Sequence, residues 1–427
     1  MSRVVVIGAG AMGLAAAHRA AQLGHEVDLI EIDSVPGGMA AHFDFGGLSI
    51  ERFYHFVCKS DEPTFSLMQE LGLGDKMRWR QTSMGYFMKG KIHPWGDPIS
   101  LLRFPHLSLI AKIRTGLQMF LTTKAKSFSS IEHKTARQWL EGGSGKEVYD
   151  TLWKRLMELK FYELANGVSA SWIATRVRRI GNSRRSIFRE ELGYIEGGSQ
   201  TLVDALVSAY TAKGGRIHLA TSVEKVETEN GKVTGVRAGG RFFAADAVIS
   251  TVPTPLISTL VPDLPDASKA QYDAIRNIGV VCLIFRLRKS ISKHFWINIV
   301  DDNIEIPGVI EFSNLRPVDD IVVYVPYYMP TTQPKWQWSD EQFIEEAFGY
   351  IRKVNPAINK EDLVDAKVGR LKYAQPVCEP DFLDRLPPIQ TSIAGLQIAD
   401  TCYYYPEDRG ISESVRYGRD MAEVVAQ

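Results

Sequence analysis

The opening stretch constrains the fold more than any other part of the chain. Arg3-Val-Val-Val-Ile7 has the composition of a buried strand, Gly8-Ala-Gly10-Ala-Met-Gly13 follows at once, and Leu14 to Leu23 reads as a helix. Gly24-His25 turns the chain, Val27 to Ile30 predicts a second strand, and Glu31 closes it. Strand, G-x-G-x-x-G, helix, strand and acid in this order make the βαβ fingerprint of a dinucleotide site. Gly8 permits the tight turn, Gly10 lets the backbone approach a pyrophosphate, and Gly13 lets helix and strand pack closely. Ala11 and Met12 lie in the same turn, where free N–H groups at a helix N-terminus favour an anion. Glu31 is placed to accept hydrogen bonds from ribose hydroxyls.

A chain of 427 residues predicts two interleaved domains rather than one. Its 50 basic residues balance 50 acidic ones, which argues against nucleic acid as a partner. Cys58, Cys282, Cys378 and Cys402 lack CxxC spacing and suggest reduced, mostly buried thiols. The nine histidines form no ligand pattern, so no metal site is expected. The first strand begins near residue 3, leaving no room for a cleavable signal peptide, and no uncharged apolar run approaches the ~18 residues a membrane span needs. A cytoplasmic protein is expected.

Beyond Glu31, the stretch Ile32-Asp-Ser-Val-Pro-Gly37-Gly38-Met39 sets a Gly-Gly pair shortly after the acid. Together with the opening motif it resembles the flavoprotein superfamily of amine oxidases, phytoene desaturases, protoporphyrinogen oxidases and UDP-galactopyranose mutases. The resemblance implies FAD rather than NAD, bound by Ile32, Gly37, Gly38 and Met39 as well as the first motif. Many members carry Arg where Met39 stands, so one usual anchor is missing. The implied fold is α/β: a Rossmann-like FAD-binding domain of the GR2 type with an interleaved α+β substrate domain.

Four later segments carry the same resemblance. Gly193-Tyr-Ile-Glu-Gly197-Gly198-Ser-Gln-Thr-Leu202 is similar to the segment that opens a helix returning to the flavin domain. Gly214 to Val223 is similar to the strand that reaches the adenine, with backbone groups used at Val223. Val223 to Gly240 then alternates as a short β meander, and Ala245 to Pro253 resembles a strand and proline turn re-entering the FAD domain. Near the C-terminus Gly395 to Thr401 reads as strand then acid, and Gly410 to Ala422 as a loop opening a helix. By resemblance Asp400 binds the phosphate–ribityl region, and the amides of Gly410 and Ile411 face the flavin pyrimidine. A helix N-terminus there stabilises negative charge on reduced flavin.

The FAD domain is therefore expected over 1–80, 190–255 and 375–427, and the substrate domain over 81–189 and 256–374. Residues 80–190 are expected to be largely helical, with a breaker at Gly142-Gly-Ser-Gly145. Val280 to Leu287 and Ile321 to Tyr327 predict strands, and Ser339 to Val354 a helix with Ser339 as cap and Gln342 three residues on.

Flavin carries the redox chemistry, so catalytic side chains leave a weak sequence signal. Arg52 to Asp61 resembles a stretch of the mutases in which a histidine lies beside the flavin. His55 matches that histidine, Tyr54 is counted with the cofactor contacts, and Cys58 stands where a second histidine would be. His55 suits a flavin hydrogen bond or acid–base work, or simply a histidine satisfied in a packed strand end. Tyr403-Tyr404-Tyr405-Pro-Glu407-Asp408-Arg409 reads as a flat-walled pocket with Arg409 gripping a phosphate or carboxylate, or as a surface loop. Tyr373-Ala-Gln-Pro376 resembles a segment that lines the flavin, which adds Tyr373 to the catalytic candidates. The lysine that many amine oxidases place under the flavin has no match, since Lys372 is one residue off.

Two basic features remain. Residues 98–131 contain no acid, and Arg103, Lys112, Arg114, Lys124 and Lys126 are interspersed with apolar residues. Such a helix suits the surface of an anionic membrane, with contact through 99–126, or a core helix with a solvated basic face. Arg176, Arg178, Arg179, Arg184, Arg185 and Arg189 suit a substrate phosphate or, equally, a solvated helix face. The expected activity is that of an FAD-dependent oxidoreductase taking hydride from a small molecule, amphiphilic, lipid-linked, isoprenoid or phosphate-bearing, and passing electrons to oxygen or a quinone. The alternatives are a UDP-galactopyranose mutase-like enzyme acting on a nucleotide sugar, and a non-catalytic FAD-bound partner protein. Any membrane contact is expected to be peripheral, at the inner face.

Overall fold

The computed structural model describes residues 1–425. A five-stranded parallel sheet has the order Leu396–Ile398, Ala247–Ser250, Arg3–Ile7, Glu26–Ile30, Arg216–His218. Val4 pairs with Ala247 on one side and Val27 on the other. Past Arg3 the central strand is wholly buried, as β-branched residues covered on both faces require. One face carries the helices Ala11–Gln22 and Ser199–Ala212 and the final helix Ile411–Val425. The last crosses the first so closely that a Cβ at Gly418 would stand 2.2 Å from the Met12 carbonyl. On the other face, Val226, Val233 and Val236 of an antiparallel meander share a core with Val5, Ile7 and Val248. The meander runs over Val223–Glu229, Lys232–Ala238 and Arg241–Ala244, one strand beyond the expected alternation.

A second, seven-stranded sheet has the order Leu363–Pro376, Asn277–Leu287, Ile321–Met329, Gly308–Glu311, Trp296–Ile299, Met84–Met88, Lys91–Trp95. The strands expected at 280–287 and 321–327 lie inside it. The helix Asp340–Val354 packs over it and begins with the Ser339–Gln342 capping box.

Residues 80–190 depart from the helical expectation at their start. Met77–Thr82 pairs with Glu190–Ile195, and Met84–Met88 forms a hairpin with Lys91–Trp95. The hairpin turns on Lys89 and Gly90, both at positive φ (50° and 71°), a two-residue turn that twists with its strands. Helices follow from Pro98 onward.

One of these, Leu109–Lys124, is inside out. Its packed face carries Ala111, Thr115, Gln118 and Thr122. Leu109, Ile113, Leu117, Phe120 and Leu121 point to solvent, and Ile110 is 72% exposed. Thr115 and Thr122 donate to the carbonyls one turn back, Ala111 O and Gln118 O, at 2.7 Å each, and the Gln118 amide donates to Trp139 O at 3.1 Å. The buried polar face is thus satisfied by the protein, and the core-helix alternative does not describe it. Ile99 and Leu102 on the neighbouring helix Pro98–Arg103, and Ile187 and Phe188 on the turn after Ala170–Asn182, are exposed as well.

Candidate active site

A cavity of about 1290 Å³ runs from the carboxyl ends of the parallel strands into the second sheet. Every expected cofactor and catalytic residue lines it except Gly13, which is set back: a Cβ there would meet the Gly8 carbonyl at 1.8 Å.

At the end of the cavity formed by the first helix, Gly8 turns at φ +96°. The first helix begins at Ala11 behind Gly10, with no side-chain cap, so its leading N–H groups stay available. A Cβ on Gly10 would enter open space, the space an approaching pyrophosphate takes up. The Gly37-Gly38 pair has the same logic: Gly38 sits at φ +56°, and a Cβ there would come within 3.1 Å of Gly10 Cα. Glu31 Oε2 accepts from the Ala9 N–H at 2.6 Å and Oε1 from the Asp33 N–H at 2.8 Å. Each oxygen keeps a second acceptor position. Ile32, Met39 and Val223 lie at the same end, and Ile32 is largely exposed.

At the opposite end, Asp400 Oδ2 accepts from the Thr254 N–H at 2.7 Å and Oδ1 from the Cys402 N–H at 2.8 Å. Gly410 and Ile411 stand where the final helix begins. His55 lies between these regions. Its Nδ1 is buried with no hydrogen-bond partner among the described residues. Burial pushes its pKa down to about 4, against Glu51, with His42 and Arg409 adding to the fall. The imidazole is therefore neutral at physiological pH and offers a hydrogen bond rather than a charge. Tyr54 packs edge-on to Trp296 and Tyr324, with centroids at 5.3 and 5.6 Å.

Arg409 donates to the Ala374 carbonyl and, at 3.2 Å, to the Tyr328 hydroxyl. Tyr373 lies one residue from that carbonyl, on the strand Leu363–Pro376. The expected tyrosine wall is only partly formed. Tyr404 reaches the cavity, but the Tyr403 hydroxyl donates to Pro387 O at 2.9 Å and the Tyr405 hydroxyl to Glu132 at 2.6 Å. Each buried phenol turns toward its partner and away from the cavity.

The arginine run divides. Arg176 pairs with Asp408, Arg178 with Glu407 at 2.7 Å, and Arg179 with Asp61 at 2.7 Å. Arg185 and Arg189 sit in an exposed turn with Arg184 beside them. Sequence reasoning missed Lys160, Trp172 and Tyr328, all in the cavity wall. Lys160 sits in Lys154–Phe161, whose charged composition resembles an ordinary solvated helix.

The cradle at Gly10 and Gly38, the uncapped first helix and the orphaned His55 nitrogen fit FAD. When bound, FAD supplies the hydride acceptor. The sequence matches the family of flavin-containing amine oxidoreductases over residues 13–391. It is 23% identical over 469 aligned residues to the 15-cis-phytoene desaturase of Glycine max, covering 99% of this chain and 79% of that protein. The fold is similar to that of a proposed protoporphyrinogen oxidase from Exiguobacterium sp. 255-15, with a TM-score of 0.78, 17% identity and coverage of 99% and 98%. It is also similar to that of a reduced UDP-galactopyranose mutase, with a TM-score of 0.74, 16% identity and coverage of 100% and 95%. The chain belongs to the family of flavin-containing amine oxidoreductases, and it is an FAD-dependent oxidoreductase with a Rossmann-like α/β fold.

Proposed function

We propose that this enzyme takes hydride from an amphiphilic, lipid-linked or isoprenoid substrate that it meets at an anionic membrane surface. The observation that carries this reading is the inverted helix Leu109–Lys124. Its outward apolar side is continued by Ile99, Leu102, Ile187 and Phe188. Arg103, Arg114, Lys124, Lys126, Arg185 and Arg189 are exposed around it, and no acid lies between residues 98 and 131. Exposed apolar area rimmed by cations suits insertion into the headgroup layer of anionic lipid. No helix among the described residues is long and apolar enough to cross a membrane, and the contact proposed is a peripheral one. The surface helix packs on Ala170–Asn182, whose other residues line the cavity.

In this reading residues 1–80, 190–255 and 375–427 hold FAD, and 81–189 with 256–374 hold the substrate. Trp153, Leu156, Met157 and Phe161 form an apolar wall that orients a hydrocarbon and excludes water. His55 and Tyr373 flank the reacting region, and a membrane quinone is a natural electron acceptor beside oxygen. The mutase-like reading draws on the shared fold and the His55 segment. It is weakened because Arg176 and Arg179, two of the arginines that line the cavity, already have carboxylate partners.

The test is co-sedimentation of the holoenzyme with vesicles. Binding to phosphatidylcholine vesicles containing phosphatidylglycerol, absent with phosphatidylcholine alone and lost in the Phe120→Ser/Leu121→Ser double variant, is the expected result. A holoenzyme that ignores both vesicle types would remove the membrane reading.

A further inference from the structure

Six cations line the cavity: Arg52, Lys160, Arg176, Arg179, Arg370 and Arg409. Four have a carboxylate partner, in Asp33, Asp408, Asp61 and Asp340 respectively for Arg52, Arg176, Arg179 and Arg370. Lys160 and Arg409 have none among the described residues. Both approach Tyr328. Lys160 Nζ lies 4.7 Å from its ring centroid, and the Arg409 guanidinium carbon 5.7 Å from the same centroid.

The Lys160 ammonium forms no hydrogen bond among the described residues. Its surroundings are rings: Trp172 at 5.1 Å and Phe161 at 5.6 Å complete the cage with Tyr328. Ring faces attract a cation but accept none of its N–H bonds in full. Burial, Arg176 and Arg409 all push the Lys160 pKa well below its usual value, against Asp408. The cavity carboxylates are committed elsewhere: Asp408 to Arg176 and the Arg409 amide, Asp61 to Arg179 and the Cys58 amide. A half-buried cation without a counter-charge is costly, and an incoming anion relieves that cost.

We propose that Lys160 and Arg409 form an anion subsite that takes the carboxylate or phosphate head of the substrate. This rests on the amphiphilic-substrate reading and adds the charge of the head. The head lies against Tyr328, Lys160 supplies free N–H donors, and Arg409 is held by Ala374 O and the Tyr328 hydroxyl with donors to spare. The tail then extends along Trp153, Leu156 and Met157.

The experiment uses the holoenzyme and three probes below micellar concentration: dodecyl phosphate, dodecanoate and dodecanol. Binding is read by calorimetry, and Lys160 by its acetylation with acetic anhydride, mapped by mass spectrometry. At least one anion should bind about tenfold or more tighter than the alcohol, the contribution of a charge-assisted hydrogen bond. It should also protect Lys160 where dodecanol does not. The preferred anion identifies carboxylate or phosphate. Lys160→Met should abolish the preference and leave dodecanol binding intact. Equal affinities, equal losses for all three probes in the variant, or a Lys160 already unreactive in the ligand-free holoenzyme would overturn the subsite. Anion-free binding of dodecanol would leave the amphiphilic reading standing without it, whereas failure of all three probes would remove both. Protection in the unaltered enzyme decides the matter even if Lys160→Met does not fold.

Discussion

Glu51 and Arg316 are 265 residues apart in sequence and meet as a buried ion pair, with Arg316 Nη1 donating to Glu51 Oε2 at 2.6 Å. Glu51 Oε1 also accepts from the Ser199 amide at 3.3 Å, so the first helix-returning segment and the second sheet close on one carboxylate. A Cβ at Gly198 would fall 2.4 Å from Arg316 Nη1 and 2.6 Å from Glu51 Oε1. That contact explains the second glycine of the 197–198 pair. Burial raises the Glu51 carboxyl, but His42 and Arg316 outweigh it and hold it below the usual carboxylate range. Arg316→Met should therefore cost about 3–5 kcal/mol, because it strands a buried charge. The check is a lowered thermal midpoint at neutral pH. A depressed carboxylate stabilises above its unfolded pKa, so the deficit should shrink as pH falls through and below 4.5.

Glu31→Ala and Asp400→Ala should each lower the flavin content of purified protein. Each removes a carboxylate that accepts two backbone N–H groups at one end of the cavity. Each orphaned N–H costs about 1–3 kcal/mol. The ratio of flavin to protein absorbance after gel filtration is the measurement, and full flavin retention in both variants would show that the cofactor lies elsewhere.

Gly418→Val should destabilise the enzyme and loosen FAD together. The new side chain would have to enter the space held by Met12 O, 2.2 Å from the Cβ, and Ala16 N, 3.0 Å away. Separating the two helices moves both N-termini that face the cavity. Unfolding midpoint and FAD dissociation should shift in the same variant, and a change in one alone would uncouple the helix crossing from the cofactor.

His55 should show no titration near its ordinary 6.5, because its folded pKa lies at about 4. The folded state then binds fewer protons than the unfolded one between these values. Stability should fall as pH drops through that window, by up to about 1.4 kcal/mol per pH unit from this group. Histidine-selective NMR of the holoenzyme gives the titration directly, and an inflection near 6.5 for His55 would contradict its burial.

The backbone geometry at the glycine-lined end of the cavity was legible because these glycines encode it within a few residues of themselves. Gly8, Gly10, Gly13 and the Gly37-Gly38 pair do in space what their spacing implies. Ser339 and Gln342 likewise form a local cap that needs nothing from the rest of the chain. Lys160 was not legible, since its meaning depends on Tyr328 and Arg409, which arrive from distant strands and loops. The tyrosines at 403–405 misled because aromatic composition does not reveal which hydroxyl finds a carbonyl or a carboxylate. The hairpin at Met84–Trp95 was hidden by a Lys-Gly turn and by a parallel neighbour, Trp296–Ile299, far along the chain.

The helix crossing at Gly418 sets an order of events during synthesis. The helix Ala11–Gln22 leaves the ribosome long before the edge strand Leu396–Ile398 and the helix that braces it. Until then the nascent chain presents a half-built nucleotide cleft whose sheet has one margin bare. Cofactor capture thus waits for this strand and helix, and a chain cut before Leu396 should lack flavin altogether rather than hold it weakly.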